Sequence, residues 1–182
     1  MRKIFMLLMA GMLLGMLSAC SSSSDGESSS GGGGEIAASA VDLSAFSNFT
    51  CTSNWTNRDG ALGLKAYSNN GTCDATFPGV SGMYQITVTV QTEYDGRPPY
   101  RVSLNGVVVS SGAYPTSSSL GCGCRDLGDW RKICPDKDVD LNAGVHQVNT
   151  GDVIQFFGAE HFGCDGHGAY AKWHRIVLTP VR

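Results

Sequence analysis

The chain has 182 residues, with 13 Lys and Arg against 16 Asp and Glu for a formal net charge of -3, and 42% of its side chains are hydrophobic. The excess of acid excludes the basic footprint that nucleic-acid binding requires, because affinity for phosphates rests on clustered Lys and Arg.

Met1-Arg2-Lys3 precedes an apolar stretch from Ile4 to Leu17, which ends in Leu17-Ser18-Ala19-Cys20. A positive n-region, an apolar h-region and a small-residue cleavage site make residues 1–19 a secretory signal peptide. The stretch falls short of the roughly 20 apolar residues that span a bilayer. Leu-Ser-Ala-Cys resembles the lipobox of bacterial lipoproteins, which implies cleavage before Cys20 and lipidation of its thiol, with palmitate among the acyl chains. The serine at position 21 then implies sorting to the outer membrane, on its periplasmic or extracellular face. Residues 20–35, rich in Ser and ending in Gly31 to Gly34, have nothing to bury and are expected to be a flexible linker. Loss of Arg2 and Lys3 with the signal leaves 11 basic against 16 acidic side chains.

Residues 36–182 have the length of one domain with its own core. Two apolar runs, Ala61 to Tyr67 and Thr72 to Phe77, flank Ser68-Asn69-Asn70-Gly71 and predict a hairpin. The clearest strand follows, from Met83 to Glu93, with Tyr84, Ile86, Val88 and Val90 on one face and Gln85, Thr87, Thr89 and Gln91 on the other. Tyr100 to Leu104 and Val107 to Ser110 enclose Asn105-Gly106, a pair suited to a two-residue type I′ turn. From Ser111 to Asp138 periodicity fades, and three cysteines and Trp130 suggest a long cross-linked loop. Val153 to Phe157 and Ala169 to Pro180 supply the last strands. Short strands with Gly, Pro and Asn turns and no helical periodicity predict an all-β fold, an antiparallel β-sandwich of jelly-roll type.

Once Cys20 is lipidated, Cys51, Cys73, Cys122, Cys124, Cys134 and Cys164 remain, and an even number in an exported chain reads as disulfides stapling the sandwich. Six cysteines allow 15 pairings. We favour Cys51 with Cys73 and Cys134 with either Cys122 or Cys124; the last two are too close in sequence to bridge each other.

Gly82-Met83-Tyr84, Glu93-Tyr94-Asp95-Gly96, Tyr100-Arg101-Val102 leading into Leu104-Asn105-Gly106, Gly151-Asp152-Val153-Ile154, and Gly168-Ala169-Tyr170-Ala171-Lys172-Trp173 running to Pro180 fall in a familiar order. This order resembles the galactose-binding-like sandwiches of carbohydrate-binding modules, families six, thirty-five and thirty-six. The resemblance implies non-catalytic binding of a polysaccharide or oligosaccharide in loops at one rim. It also brings calcium, which a terminal-strand Trp-Asp pair helps to place in such modules, although here the pair is Trp173-His174.

Sugar sites set an aromatic face against a pyranose and offer carboxylates and amides to its hydroxyls. Among Tyr94, Tyr100, Tyr114, Trp130, Phe162, Tyr170 and Trp173, the last belongs by its strand position to the core, whereas Trp130 lies amid charges without apolar companions and is the better platform. Trp55, in a polar stretch, is a second platform or a loop plug. Glu93, Tyr94 and Asp95 close the best strand and suit either sugar hydroxyls or calcium, against the plain reading of a solvated turn. His161, Phe162, Asp165 and His167 offer donors, acceptors and a ring to the same ligand. His161, Cys164, His167 and His174 look like zinc ligands, but a cysteine in an oxidising compartment is first a half-cystine. No Gly-x-Ser-x-Gly elbow, phosphate loop or zinc-protease motif is present, and a glycosidase pair of Glu93 with Asp165 or Glu160 has nothing in the sequence to set its spacing. The chain therefore reads as a lipid-anchored carbohydrate-binding protein and not an enzyme, with a structural or protein-interaction domain of the envelope as the alternative.

Overall fold

A computed structural model describes residues 37–182; the signal peptide, Cys20, the linker and Ile36 lie outside the described residues. The chain forms β1 (Val41–Ser44), β2 (Thr50–Cys51), β3 (Trp55–Arg58), β4 (Ala61–Leu64), β5 (Asn70–Thr76), β6 (Gly82–Thr92) and β7 (Pro99–Leu104). It continues through β8 (Val107–Ala113), β9 (Lys137–Val148), β10 (Val153–Ala159), β11 (His161–Cys164), β12 (His167–Ala169) and β13 (Trp173–Pro180). Between β8 and β9 lie a 3-10 turn, Gly121–Asp126, and a single helical turn, α1 (Trp130–Ile133).

These strands make an antiparallel β-sandwich. One sheet has the order β3-β4-β13-β6-β9, with β1 also paired to β13, and the other has the order β2-β5-β10-β7-β8. Alternation along β6 drives the packing: Tyr84, Ile86, Val88 and Val90 are wholly buried, and across the interior they meet a core that includes Val102, Ile154 and Phe156, equally buried. Burying each such side chain is worth about 1.5–3 kcal/mol. Trp173 is also fully buried, with its ring 4.3 Å from that of Phe156, 4.9 Å from Phe49 and 6.3 Å from Trp55. The β7–β8 turn has Asn105 and Gly106 at φ 49° and 82°, the left-handed pair that the Asn-Gly dipeptide favours.

Four features differ from the sequence reading. Ala61 to Tyr67 and Thr72 to Phe77 do not form a hairpin: β4 lies in the first sheet between β3 and β13, so both of its edges are taken, and the chain crosses to the second sheet to enter β5. The last predicted strand divides into β12 and β13, because Ala171 takes a left-handed φ of 49° and kinks the chain. The segment from Ser111 to Asp138 is shorter as a loop than expected, since β8 runs to Ala113 and β9 begins at Lys137. Trp55 is neither a platform nor a loop plug but a buried side chain of β3.

The disulfides are Cys51–Cys73, joining β2 to β5, Cys124–Cys134, closing the 3-10 turn onto α1, and Cys122–Cys164, tying that segment to β11. Truncation of Ile86 to Ala is expected to lower unfolding free energy by about 3 kcal/mol through lost burial and a residual cavity. Val107→Ala, on the exposed face of β8, should change it by less than about 0.5 kcal/mol. Urea denaturation of the two variants checks this.

Candidate functional site

At one rim of the sandwich the end of β6, the turn between β3 and β4, the α1 segment and the chain entering β13 converge on a cleft of about 300 Å³. Gln91, Glu93, Tyr94 and Asp95 come from β6 and its extension, Asp59 from the β3–β4 turn, and Trp130, Arg131, Pro135 and Asp136 from the cross-linked segment. The hinge beneath is Lys172, whose side chain is 1% exposed. Its ammonium lies 3.1 Å from Glu93 Oε1, 2.5 Å from Asp136 Oδ2 and 3.4 Å from Asp59 Oδ2. Glu93 Oε2 in turn accepts the backbone N–H of Tyr170 at 2.8 Å.

Burial pushes the Glu93 carboxyl up from 4.5 to about 7, against the pull of the Lys172 ammonium. Burial also opposes charge on Lys172, but Glu93 and Asp136 prevail and hold its pKa above the ordinary lysine value. Asp95 is raised by burial as well, with the nearby His167 lowering it. Asp95 Oδ1 and Gln91 Oε1 are both buried and have no hydrogen-bond partner among the described residues. Buried acceptors are nearly always paired, so two of them lining one cleft identify a place where a donor belongs.

Trp130 stands at the wall of this cleft. Its ring lies 5.3 Å from that of Tyr94, and both pack on the buried Cys124–Cys134 bridge in a small cluster separate from the main core. Trp130 therefore does have apolar companions, contrary to the reading from its charged sequence neighbours. Tyr94 is 5% exposed and buttresses Trp130. Arg131 caps the Trp130 ring at 4.9 Å.

The β11–β12 hairpin closes the adjoining side. Gly163 donates its N–H to the Asp95 carbonyl at 2.8 Å, and Arg97 N–H donates to His161 Nδ1 at 3.1 Å. A Cβ on Gly96 would stand 2.2 Å from the His161 carbonyl oxygen, so only glycine permits this approach. A second cleft of about 320 Å³ shares Glu93, Tyr94, Asp95 and Trp130 with the first and adds Arg58, Arg125, His167 and Tyr170.

Of the residues singled out from sequence, Glu93, Tyr94, Asp95 and Trp130 thus meet at one cleft, and His167 joins them at its neighbour. His161 and Phe162 lie on the exposed outer hairpin, and neither they nor Asp165 line either cleft. Tyr100 and Tyr114 are buried. Asp59, Gln91, Asp136 and Lys172 were not anticipated; the one available signal was Lys172, a charge set between Ala171 and Trp173 in an apolar run.

The histidine and cysteine cluster does not assemble. Cys164 is bonded to Cys122, and His174 lies against Asp138 at 3.1 Å on the first sheet. Among the described residues, no group of three or more His, Cys, Asp or Glu is placed to hold a metal ion. Where the resemblance has an aspartate beside the terminal-strand tryptophan stands His174, whose Nε2 lies 3.1 Å from Asp138 Oδ1.

No protein-family model matches the chain, and a comparison with curated proteins finds no match. Solved structures do match, and they show the fold to be that of carbohydrate-binding modules. The CBM36-1 domain of a multidomain xylanase from the hindgut metagenome of Trinervitermes trinervoides superposes with a TM-score of 0.51 at 14% identity, covering 79% of this chain and 98% of that one. A Paenibacillus xanthan lyase gives a TM-score of 0.51 at 14% identity over 77% of this chain, and insecticidal crystal protein Cry2Aa gives 0.51 at 16% over 78%. The chain spans only 13% of the lyase and 21% of the crystal protein.

Replacing Lys172 by Met leaves Glu93 and Asp136 without their ammonium. Because the folded-state pKa of Glu93 lies above its unfolded value, stability falls as pH rises from about 4.5 through about 7, and more steeply once the ammonium is gone. The loss relative to the unaltered protein should be about 3 kcal/mol at pH 8 and clearly smaller at pH 5, where Glu93 takes up a proton. Denaturant midpoints at the two pH values decide it, and equal losses at both would contradict the assignment.

Proposed function

We propose that this protein binds a polysaccharide or oligosaccharide without altering it, from a membrane to which a lipid on Cys20 holds it. The observation that carries the reading is the cleft beside Trp130, which combines an aromatic wall with two buried acceptors, Gln91 Oε1 and Asp95 Oδ1, that have no partner among the described residues. A pyranose has an apolar face for the ring and hydroxyl donors for such acceptors. Arg131, and His167 at the adjoining cleft, supply donors in return. The module fold supports the reading, one neighbour with that fold being part of a xylanase.

The engagement of the carboxylates supports binding without catalysis. Glycoside hydrolysis needs two carboxyl groups free to flank one bond, about 5–10 Å apart. Glu93 is bound to Lys172 and to the Tyr170 amide, Glu160 Oε2 accepts the Asn69 N–H at 2.8 Å, and Asp165 is outside both clefts. Calcium is not required in this reading, since Glu93, one of the carboxylates suited to it, is engaged by Lys172 and the Tyr170 amide. Residues 36–182 act as one binding domain, 20–35 as its tether and 1–19 as the leader that is removed. The protein then stands on the outer membrane, at its periplasmic or extracellular face, without a nucleic-acid partner.

In native gels cast with xylan, mannan, laminarin or xanthan, the full chain in mild detergent should be retarded by one class of polymer. Trp130→Ala should abolish the retardation and a chelator should leave it intact. Absence of retardation by every polymer, from oxidised and folded protein, would move the assignment to an envelope interaction domain. The tether is tested separately: Cys20→Ser should stop incorporation of labelled palmitate and release the protein from the membrane fraction.

A further inference from the structure

Beyond the cleft, on the outer side of the β11–β12 hairpin, lies a second aromatic surface. Tyr67 is 79% exposed and stacks on Phe162, 43% exposed, with ring centroids 5.7 Å apart and planes within 10° of parallel. Phe162 meets the edge of Tyr170 at 6.2 Å, and Tyr170, capped at 3.5 Å by the Arg58 guanidinium, lines the second cleft together with Trp130.

This surface is held in place. Tyr67 and Asn69 both take left-handed backbone conformations, at φ 63° and 66°, which L side chains other than Asn and Asp rarely adopt. Glu160 fixes the loop from the end of β10: its N–H donates to the Asn69 carbonyl at 2.8 Å, and its Oε2 accepts the Asn69 N–H at 2.8 Å. Phe162 lies flat because Gly168 has no Cβ, which would stand 2.5 Å from Phe162 Cδ1. Large aromatic side chains that stay open to solvent mark a recognition surface more often than a stabilising one.

We infer that Tyr67 and Phe162 form a second sugar platform, continuous through Tyr170 with the Trp130 cleft, so that the protein grips an internal stretch of a polysaccharide chain instead of one terminal sugar. This rests on the carbohydrate-binding reading, and continuity with the cleft is what selects a glycan as occupant. Tyr170, which lines the second cleft with Trp130 and meets Phe162, is the link between the two aromatic surfaces.

The test is calorimetric titration of the detergent-solubilised full chain with xylo-, manno- and laminari-oligosaccharides from monosaccharide to hexasaccharide. Affinity should rise with length, and Tyr67→Gly, which a left-handed position accepts without strain, should weaken hexasaccharide binding about tenfold or more, the scale of a lost aromatic contact. Disaccharide binding should be unchanged by Tyr67→Gly, and Tyr67→Phe should retain long-chain affinity. Equal hexasaccharide affinity in Tyr67→Gly and the unaltered protein, or affinity independent of length, would overturn the platform while leaving the Trp130 site standing. Failure of the unaltered protein to bind any of these sugars, together with no retardation by any of the four polymers, would overturn the parent reading and the platform with it.

Discussion

A single buried ammonium ties together the rim around the cleft. Lys172 sits where Ala171 kinks the chain into β13, and its three carboxylate partners come from the end of β6, the β3–β4 turn and the segment after Cys134. Those elements adjoin in the first sheet, and the ammonium fixes their carboxylates against one another. Desolvating a lysine is unfavourable by several kcal/mol, and mutual attraction offsets this only when hydrogen bonding is nearly complete. Here the partners are arranged so that it is: Glu93 uses one oxygen for the ammonium and the other for the Tyr170 amide. The result specifies where the walls of the cleft stand more than it adds stability.

The disulfides do for the outer wall what the core does for the sandwich. The segment between β8 and β9 buries little of its own, and Trp130 sits on a single helical turn that could not persist alone. Cys124–Cys134 closes that turn against Tyr94, and Cys122–Cys164 fixes it to the β11–β12 hairpin. That hairpin in turn lies on Asp95 and Gly96. A rigid platform loses little entropy on meeting a ligand, which is how a shallow cleft can still be selective.

How much of this was legible in the sequence depends on whether the signal was local. Strand β6 and the Asn105-Gly106 turn were, because burial alternation and positive φ are written in consecutive residues. Strand β9 was not: Val139 and Leu141 alternate only with Asp138, Asp140 and Asn142, and the register then shifts between Asn142 and Gly144, whose φ is 90°. Alternation also identifies a strand without its neighbour, so β4 and β5 were paired with each other although they belong to opposite sheets. Glu93, Tyr94, Asp95 and Trp130 stood out by chemical type. Asp59, Gln91, Asp136 and Lys172 come from four separate segments, and only the folded chain brings them to one cleft.

Three indole N–H groups separate the site from the core. Those of Trp55 and Trp173 are buried and unpaired in the interior, whereas Trp130 borders the cleft. The most direct measurement is therefore a nitrogen-15 correlation spectrum of the protein titrated with the oligosaccharide of whichever polymer it retains. The Trp130 indole resonance is expected to shift saturably while those of Trp55 and Trp173 stay in place. A saturable interaction that leaves Trp130 unmoved would contradict the Trp130 site.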